Sequence, residues 1–231
     1  MNFYYLNGKP VVRKSGGGFN GKAIKTKASM VRVRENSSEF GASMVAVKAF
    51  KVSLAPFLTQ YKDGQLHQRL AGLFSAIKRC DVVGERGKRN VNNGLATAEG
   101  VALLQNYVLT AGNNLAGVLA NPYHFDFATG LHLENFDGKP IKFANGSAHL
   151  KVVAGFLKFD FESLAYRLVV SDAVYLDKSS VGSFTLSPLE PNVAAGKAIG
   201  VVFTQFVQET NGVYYTFKQV TDVGLEVVYV G

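Results

Sequence analysis

The chain has 231 residues, with no tryptophan and a single cysteine. One cysteine excludes a disulfide framework and a cysteine-based zinc finger. The absence of tryptophan removes the Cys–Trp–Cys signature of true immunoglobulin domains. Because 47% of the residues are apolar and 18% are charged, the chain can bury a core, which excludes wholesale disorder. The length allows one large domain or two small ones.

Long apolar runs are also absent from the sequence. No stretch approaches the 18 apolar residues of a transmembrane helix, and the first apolar run, residues 3–6, is too short for a secretory signal. The default expectation is a cytoplasmic protein without a membrane span. Since a predicted strand begins almost at Met1, we expect residues to be missing upstream of it. Such residues would conceal a targeting segment and would allow association with the cell envelope.

Acidic residues are scarce in the first part of the chain. Residues 1–90 hold 17 Lys and Arg against 5 Asp and Glu, a net charge of +12. Residues 91–231 hold 8 Lys and Arg against 12 Asp and Glu, a net charge of −4. The overall charge of +8 therefore conceals two parts of opposite sign. We predict a basic hairpin and helical region at 1–110 and a β domain at 111–231.

The N-terminal residues predict a β-hairpin. Asn7-Gly8, a strong hairpin turn signal, lies between the apolar residues 3–6 and 11–13. Pro10 cannot donate to a strand ladder, so the returning strand begins after it or lies at an edge. Residues 15–22 are glycine-rich and predict a flexible loop. Their G-x-x-x-x-G-K spacing matches a phosphate loop, but Ala23 replaces the required Ser or Thr, so a plain loop is favoured.

Helical periodicity begins near residue 37. The first apolar stripe predicts a helix with Ser37 or Ser38 as its N-cap, Glu39 in its first turn and its end or a kink at Pro56. That stripe consists of Phe40, Met44, Val47, Phe50 and Leu54. A second stripe consists of Leu66, Leu70, Leu73, Phe74 and Ile77. Two such helices with a short connection indicate an αα-hairpin. The polar residues 84–94 are predicted to be a basic loop.

From about residue 121 the pattern is that of β structure. The clearest predicted strands are 148–154, 156–161, 165–175, 199–208, 213–219 and 224–230. About seven short strands with frequent turns fit an antiparallel β-sandwich of immunoglobulin-like kind. The predicted fold class is therefore α+β, with the N-terminal hairpin and helical pair followed by this sandwich.

Several sequence strings resemble an uncharacterised bacterial family. They are RVRENSSEFG at 32–41, NGKPVVR at 7–13, ERGKRNV at 85–91 and FVQETNGVYY at 206–215. The family pattern is an N-terminal NGKxxVR hairpin, an RxRENxxEFG helical segment and a β-rich C-terminal half. Its members usually carry residues ahead of the first hairpin, which agrees with the expectation for Met1. The resemblance implies a fold and no activity.

Candidate catalytic and metal-binding groups are few. His124-x-Asp126 and His132-x-Glu134 flank a turn, so in a hairpin four ligand-type groups could converge; polar alternation on a solvated strand is favoured instead. Cys80 ends the second helix beside basic residues, and a small apolar residue closing a helix is the favoured interpretation. No G-x-S-x-G motif is present. We predict no enzyme activity, no metal and no cofactor.

The basic clusters are the most informative feature. Their members are Lys22, Lys25, Lys27, Arg32, Arg34, Arg86, Lys88 and Arg89. They could neutralise nucleic-acid phosphates, or dock an acidic protein surface or the acidic half of another copy. The favoured interpretation is internal: Arg32, Arg34 and Arg89 pair with Glu35, Glu39 and Glu85 to fasten residues 84–94 onto the helices.

These observations favour a non-enzymatic structural or protein-interaction subunit of a larger bacterial assembly. One version is an accessory or plugging subunit of a secretion or envelope machine. The alternative is a nucleic-acid-associated basic protein. We expect a protein partner before nucleic acid, and the sequence leaves the oligomeric state open.

Overall fold

The computed structural model describes residues 1–6, 8–13, 21–144 and 146–231. Helices and antiparallel sheets both occur in these ranges, which confirms the predicted α+β class. Short 3₁₀ turns cover Ala28–Met30 and Val220–Asp222. The helices are α1 (Gly21–Thr26), α2 (Val31–Ser53), α3 (Ala55–Leu58), α4 (Leu66–Arg79), α5 (Val91–Gly94), α6 (Ala98–Leu104) and α7 (Leu115–Leu119).

The strands form three antiparallel sheets. They are β1 (Asn2–Leu6), β2 (Lys9–Arg13), β3 (His124–Asp126), β4 (Gly130–Asp137), β5 (His149–Phe159), β6 (Tyr166–Val170), β7 (Val174–Leu176), β8 (Val181–Leu186), β9 (Lys197–Thr210), β10 (Val213–Thr216) and β11 (Val223–Val230). Strands β1 and β2 form a two-stranded sheet, and β3, β4 and β8 form a three-stranded one. The six-stranded sheet has the order β10-β9-β5-β6. In addition, β11 pairs with β9 and β7 pairs with β5.

Helix α2 begins six residues earlier than the sequence pattern predicts, so the predicted N-cap at Ser37 or Ser38 is wrong. Both serines lie inside the helix, and Glu39 is in its third turn. The predicted core position Phe40 is also wrong, because its side chain is 53% exposed. Long-range contacts to the first turns of α2, described below, outweigh the local preference of serine for a cap.

The two predicted helices pack against each other and against the large sheet. All five members of the second apolar stripe are buried in α4, as predicted. In α2, Val47 and Phe50 are buried, and the ring of Phe50 lies 5.5 Å from that of Phe74 in α4, measured between centroids. Phe50 also contacts Phe159 of β5 at 5.8 Å. The helices therefore cover one face of the six-stranded sheet.

The central pair of the large sheet is buried on both faces. Strands β5 and β9 pair from His149↔Val207 to Phe159↔Lys197. Side chains such as Val153 and Phe203 share a core with the helices, whereas Val152 and Val202 point to a second core. This explains the nearly continuous apolar run of β9, since a strand covered on both faces needs no polar alternation.

The second core separates the large sheet from the three-stranded sheet. Leu133 and Phe136 of β4 lie in this core with Phe156 of β5. A register shift between Leu133 and Phe136, with Asn135 at a φ of 50°, bends β4 and curls its sheet. Two antiparallel sheets thus face each other, but helices cover the outer face of the larger one. The immunoglobulin-like arrangement is not confirmed.

Strand β5 runs through Gly155, where the sequence analysis placed a break between two strands. A Cβ at this position would lie 2.7 Å from Val201 and 2.8 Å from the ring of Phe57, so the glycine permits a close approach within an unbroken strand. The predicted strand 165–175 is divided into β6 and β7. The domain boundary at residue 110 stays a prediction, and the helix-side core draws residues from both sides of it.

Candidate functional site

Glu39 joins three segments of the basic region. It is 3% exposed, and its Oε1 accepts hydrogen bonds from the backbone N–H of Gly87 at 2.8 Å and from Nε of Arg89 at 3.1 Å. Its Oε2 lies 2.9 Å from Nζ of Lys78 on α4. Burial alone raises the pKa of Glu39, but the hydrogen bonds from Lys78, Gly87 and Arg89 outweigh burial and lower the pKa to about 2. The ionised carboxylate therefore fastens residues 81–90, which we name the anchored loop, to both long helices.

Asp81 holds the two ends of the anchored loop. It is 4% exposed, and its Oδ1 accepts from the backbone N–H groups of Val83 at 2.9 Å and Gly84 at 2.7 Å. Its Oδ2 accepts from the backbone N–H of Asn90 at 3.0 Å and from Nδ2 of Asn93 at 3.1 Å. Burial raises the pKa of Asp81, but these four hydrogen bonds outweigh it and lower the pKa. The loop conformation is thus fixed by one carboxylate that stays ionised.

Glu35 forms a second attachment of the anchored loop to α2. Its Oε2 lies 3.1 Å from Nη1 of Arg32 and 3.1 Å from Nε of Arg86. Gly87 has a φ of 92°, and a Cβ there would lie 3.0 Å from Cγ of Glu35. Only glycine adopts this backbone conformation without strain at such a close approach.

The predicted internal pairing of the arginines is present in part. Arg32 pairs with Glu35 and Arg89 with Glu39, as predicted. Arg34 departs from the prediction: its Nη1 donates to the backbone carbonyls of Ile24 at 2.6 Å and Lys27 at 3.0 Å. These bonds attach α1 and the turn after it to the start of α2.

Glu85 also departs from the predicted pairing with arginine. Its carboxylate lies 3.0 Å from Nζ of Lys88, and the two side chains are 79% and 78% exposed. An exposed ion pair of this kind adds little to stability. The fastening of the anchored loop therefore depends on the buried carboxylates and not on Glu85.

Three lysines near α1 are exposed members of the basic clusters. Lys22, Lys25 and Lys27 are exposed, and none of the residues of α1 is buried. Within the described ranges, Lys25 and Lys27 form no ion pair. Arg32, Arg86 and Lys88 are exposed as well, although each pairs with a glutamate, whereas Arg34 and Arg89 are partly buried in their internal bonds.

The predicted N-terminal hairpin is confirmed, with antiparallel pairs from Asn2↔Arg13 to Leu6↔Lys9. Pro10 lies within β2, opposite Tyr5. Asn7 of the predicted turn and residues 15–20 of the predicted glycine-rich loop, including Gly16 of the phosphate-loop spacing, lie outside the described residues.

Among the described residues, the hairpin carries the largest group of exposed large apolar side chains that are close together in the sequence. They are Phe3 at 75%, Tyr4 at 44%, Tyr5 at 77%, Leu6 at 58% and Val12 at 56% exposed, and we name them the hairpin patch. The sequence analysis found the hairpin but not this exposure. A signal was available, because residues 3–6 are apolar on both faces of the strand, whereas a strand with one solvated face alternates.

The histidine pair at the turn forms a hairpin, with His124 directly opposite His132 and ring centroids 6.2 Å apart. Asp126 stabilises the turn between β3 and β4: its Oδ1 accepts hydrogen bonds from the backbone N–H groups of Ala128 and Thr129 at 2.9 and 2.8 Å. In the part of the chain that the structure describes, no three His, Cys, Asp or Glu side chains are grouped to hold a metal ion.

A polar and aromatic cluster at the end of the large sheet was missed. Nε2 of His149 lies 3.9 Å from Oδ2 of Asp177, and the His149 ring meets Tyr214 edge-on. Tyr214 stacks on Tyr175 at 3.8 Å between centroids. His149, Tyr175 and Tyr214 come from β5, β7 and β10, and Asp177 follows β7, so no local sequence pattern could group them. Cys80 directly follows α4 as its C-cap, and its Sγ lies 3.6 Å from the carbonyl oxygen of Ala76.

Comparisons of the chain with protein-family models, with curated proteins and with solved structures give no match. The described helices lack the combination of length and apolarity needed to cross a membrane. The resemblance of residues 32–41 to a bacterial family stays a prediction.

Proposed function

We propose that the chain is a non-enzymatic protein-interaction subunit of a larger bacterial assembly, and that it docks through the hairpin patch. The observation that carries this proposal is the exposure of five large apolar side chains on a hairpin of ten described strand residues. An isolated two-stranded hairpin is at best marginally stable in water. Contact with a partner would cover the patch and stabilise the hairpin together.

The chemistry of the patch also suits protein recognition. Tyrosines such as Tyr4 and Tyr5 lose little conformational entropy on binding and are enriched among the residues that dominate binding energy. Phenylalanine, as at Phe3, is enriched at protein interfaces. Lys22, Lys25 and Lys27 follow the hairpin in sequence and are exposed. Their charge would speed association with an acidic partner surface more than it would tighten the complex.

The internal bonds of the arginines weaken the nucleic-acid alternative. Arg86 and Arg89 bind Glu35 and Glu39, and Arg34 binds backbone carbonyls. Arg34 would have to give up its bonds to two backbone carbonyls to bind phosphate through Nη1, and movement of Arg89 would remove a donor from the buried carboxylate of Glu39. The exposed basic residues, Lys22, Lys25, Lys27, Arg32, Arg86 and Lys88, give a charge suited to steering a partner toward the chain.

We further propose that the β-rich part is a variant of the immunoglobulin-like sandwich. Support comes from two antiparallel sheets that face each other across one apolar core, with Phe136 and Phe156 on its opposite sides. An experimentally determined structure tests this. A Greek-key strand connection would support it, and a barrel-like closure of the curled sheet would count against it.

The docking proposal is tested by affinity capture from native extract at moderate salt. The wild-type chain is compared with a Phe3→Ser/Tyr5→Ser variant and with a control, Val181→Ser/Val193→Ser, which replaces valines that are 68% and 84% exposed in the β-rich part. We expect the wild type and the control to recover one stoichiometric protein partner and the hairpin variant to lose it. Recovery of no protein, or of nucleic acid alone, would contradict the proposal.

A further inference from the structure

Two strand edges of the molecule indicate that the hairpin patch binds a second copy of this chain. We propose that β1 of one copy adds to the free edge of β10 of a second copy, so that copies associate head to tail. This inference rests on the proposed docking through the hairpin and names the partner. Strand addition of this kind joins the main chains by hydrogen bonds, and the side chains give it specificity.

Strand β10 is the acceptor edge. It pairs with β9 from Val213↔Thr210 to Thr216↔Val207, and within the described ranges its other edge pairs with no strand. All four of its residues are exposed, including Val213 at 51% and Tyr215 at 57%. An edge strand with unpaired backbone groups and apolar side chains is a template for a further strand.

Strand β1 is the better donor of the two hairpin strands. One edge of β1 pairs with β2, and the other pairs with no strand among the described residues. Strand β2 contains Pro10, which has no N–H and therefore weakens any ladder on the outer edge of β2. Strand β1, Asn2–Leu6, contains no proline.

The side chains of the two strands match on both faces of the extended sheet. Phe3 and Tyr5 share one face of β1, and Val213 and Tyr215 share one face of β10, because side chains alternate along a strand. When β1 lies beside β10 in the register that puts these two faces on the same side of the sheet, the four apolar side chains become cross-strand neighbours. On the opposite face, Tyr4 would lie beside Tyr214, which is 38% exposed and stacked on Tyr175.

Charge favours this contact over a contact between two hairpins. The hairpin strands carry Lys9 and Arg13 and no acidic residue, and residues 1–90 have a net charge of +12. Two hairpins docked on each other would bring like charges together. The β-rich part, residues 91–231, has a net charge of −4, and Glu209 lies opposite Tyr214 in the acceptor hairpin. A contact between different surfaces of identical chains produces rings or open filaments.

Sedimentation velocity of the full chain over a range of concentrations tests the inference. We expect the wild type to form oligomers that grow with concentration and weaken as salt is raised. A donor variant, Phe3→Ser/Tyr5→Ser, and an acceptor variant, Val213→Lys/Tyr215→Lys, should each associate at least tenfold more weakly. All four positions are exposed, so both variants should keep the fold, which circular dichroism checks.

Mixing the two variants provides the sharpest result. The donor variant retains an intact β10 and the acceptor variant retains an intact β1, so the mixture should form a 1:1 dimer that neither variant forms alone. A wild type that stays monomeric at every concentration would overturn the inference, as would an acceptor variant that associates like the wild type. A monomeric wild type that still captures another protein through the hairpin patch would overturn self-association and leave the proposed function standing.

Discussion

Nε of Arg89 lies 3.1 Å from Oε1 of Glu39, although 50 residues separate them in the chain. The same carboxylate receives the backbone N–H of Gly87 and the ammonium group of Lys78. This arrangement assigns a structural role to basic residues that, from their charge alone, would suggest nucleic-acid binding. It also leaves the hairpin patch as the apolar surface with which the chain docks under our proposal.

Replacing the buried carboxylate should destabilise the protein. The substitution Glu39→Gln preserves the size of the side chain but leaves Lys78 and Arg89 beside a neutral amide. Because breaking a buried ion pair leaves an uncompensated charge, we expect the free energy of unfolding to fall by about 3 kcal/mol. Urea denaturation measures it. The control Glu85→Gln alters an exposed pair and should leave the free energy of unfolding unchanged; an equal loss in both variants would contradict the account.

Acid should weaken the fold through the same carboxylate. The pKa of Glu39 is lowered from its ordinary value of 4.5 to about 2 in the folded chain, so its contribution is fully present above pH 4.5. That contribution is lost as the pH falls from 4.5 through 2, because the unfolded chain binds the proton more readily. The free energy of unfolding, measured at several pH values between 4.5 and 2, should fall more steeply with decreasing pH for the wild type than for Glu39→Gln. Identical pH dependence of the two proteins would contradict the assignment.

Two glycine substitutions should have opposite effects on stability. Gly87→Ala forces a side chain into a positive-φ conformation against Glu35, and we expect a loss of about 1–3 kcal/mol. Gly41 lies within α2, and a Cβ there meets no atom within 4 Å. Gly41→Ala should therefore stabilise the protein by about 0.5–1 kcal/mol, since alanine is the better helix former. Thermal unfolding of both variants checks the signs, and a stabilised Gly87→Ala would refute the tight contact.

The helix register predicts a contrast between two phenylalanines of α2. Phe50 is fully buried against Phe74 and Phe159, so Phe50→Ala should cost about 3–5 kcal/mol. Phe40 is 53% exposed, and Phe40→Ala should cost far less. Chemical denaturation compares the two. Equal losses would favour the helix face that the sequence pattern alone predicts.

The sequence predicted correctly those elements in which the apolar residues recur with a single helical or strand period. The stripe of α4 from Leu66 to Ile77 was correct because all of its apolar residues face one core. The buried face of α2 instead includes Glu39 and Ser43, so counting apolar residues placed Phe40 in the core incorrectly. Ser43 is satisfied within the helix, since its Oγ donates to the carbonyl of Glu39, but Glu39 needs distant partners, which come from Lys78 of α4 and from the anchored loop.

The layer order of the sheets was only partly predictable. A sandwich strand has one core face, but β9 is buried from Ala198 to Val207 on both faces. Its nearly continuous apolar run, interrupted by Thr204 and Gln205, was a signal for burial on both faces. The sequence does not say which elements cover each face, because that depends on pairings between strands as distant in the chain as β5 and β9.

The central claim, docking through the hairpin rather than through the basic residues, is tested most directly by hydrogen–deuterium exchange. Exchange is measured at each backbone amide in the free chain and in its complex with the captured partner or in its oligomer. The account predicts slower exchange at the hairpin strands β1 and β2 on binding, with unchanged exchange in the anchored loop, residues 81–90. Slower exchange in the anchored loop, with none at the hairpin, would contradict it.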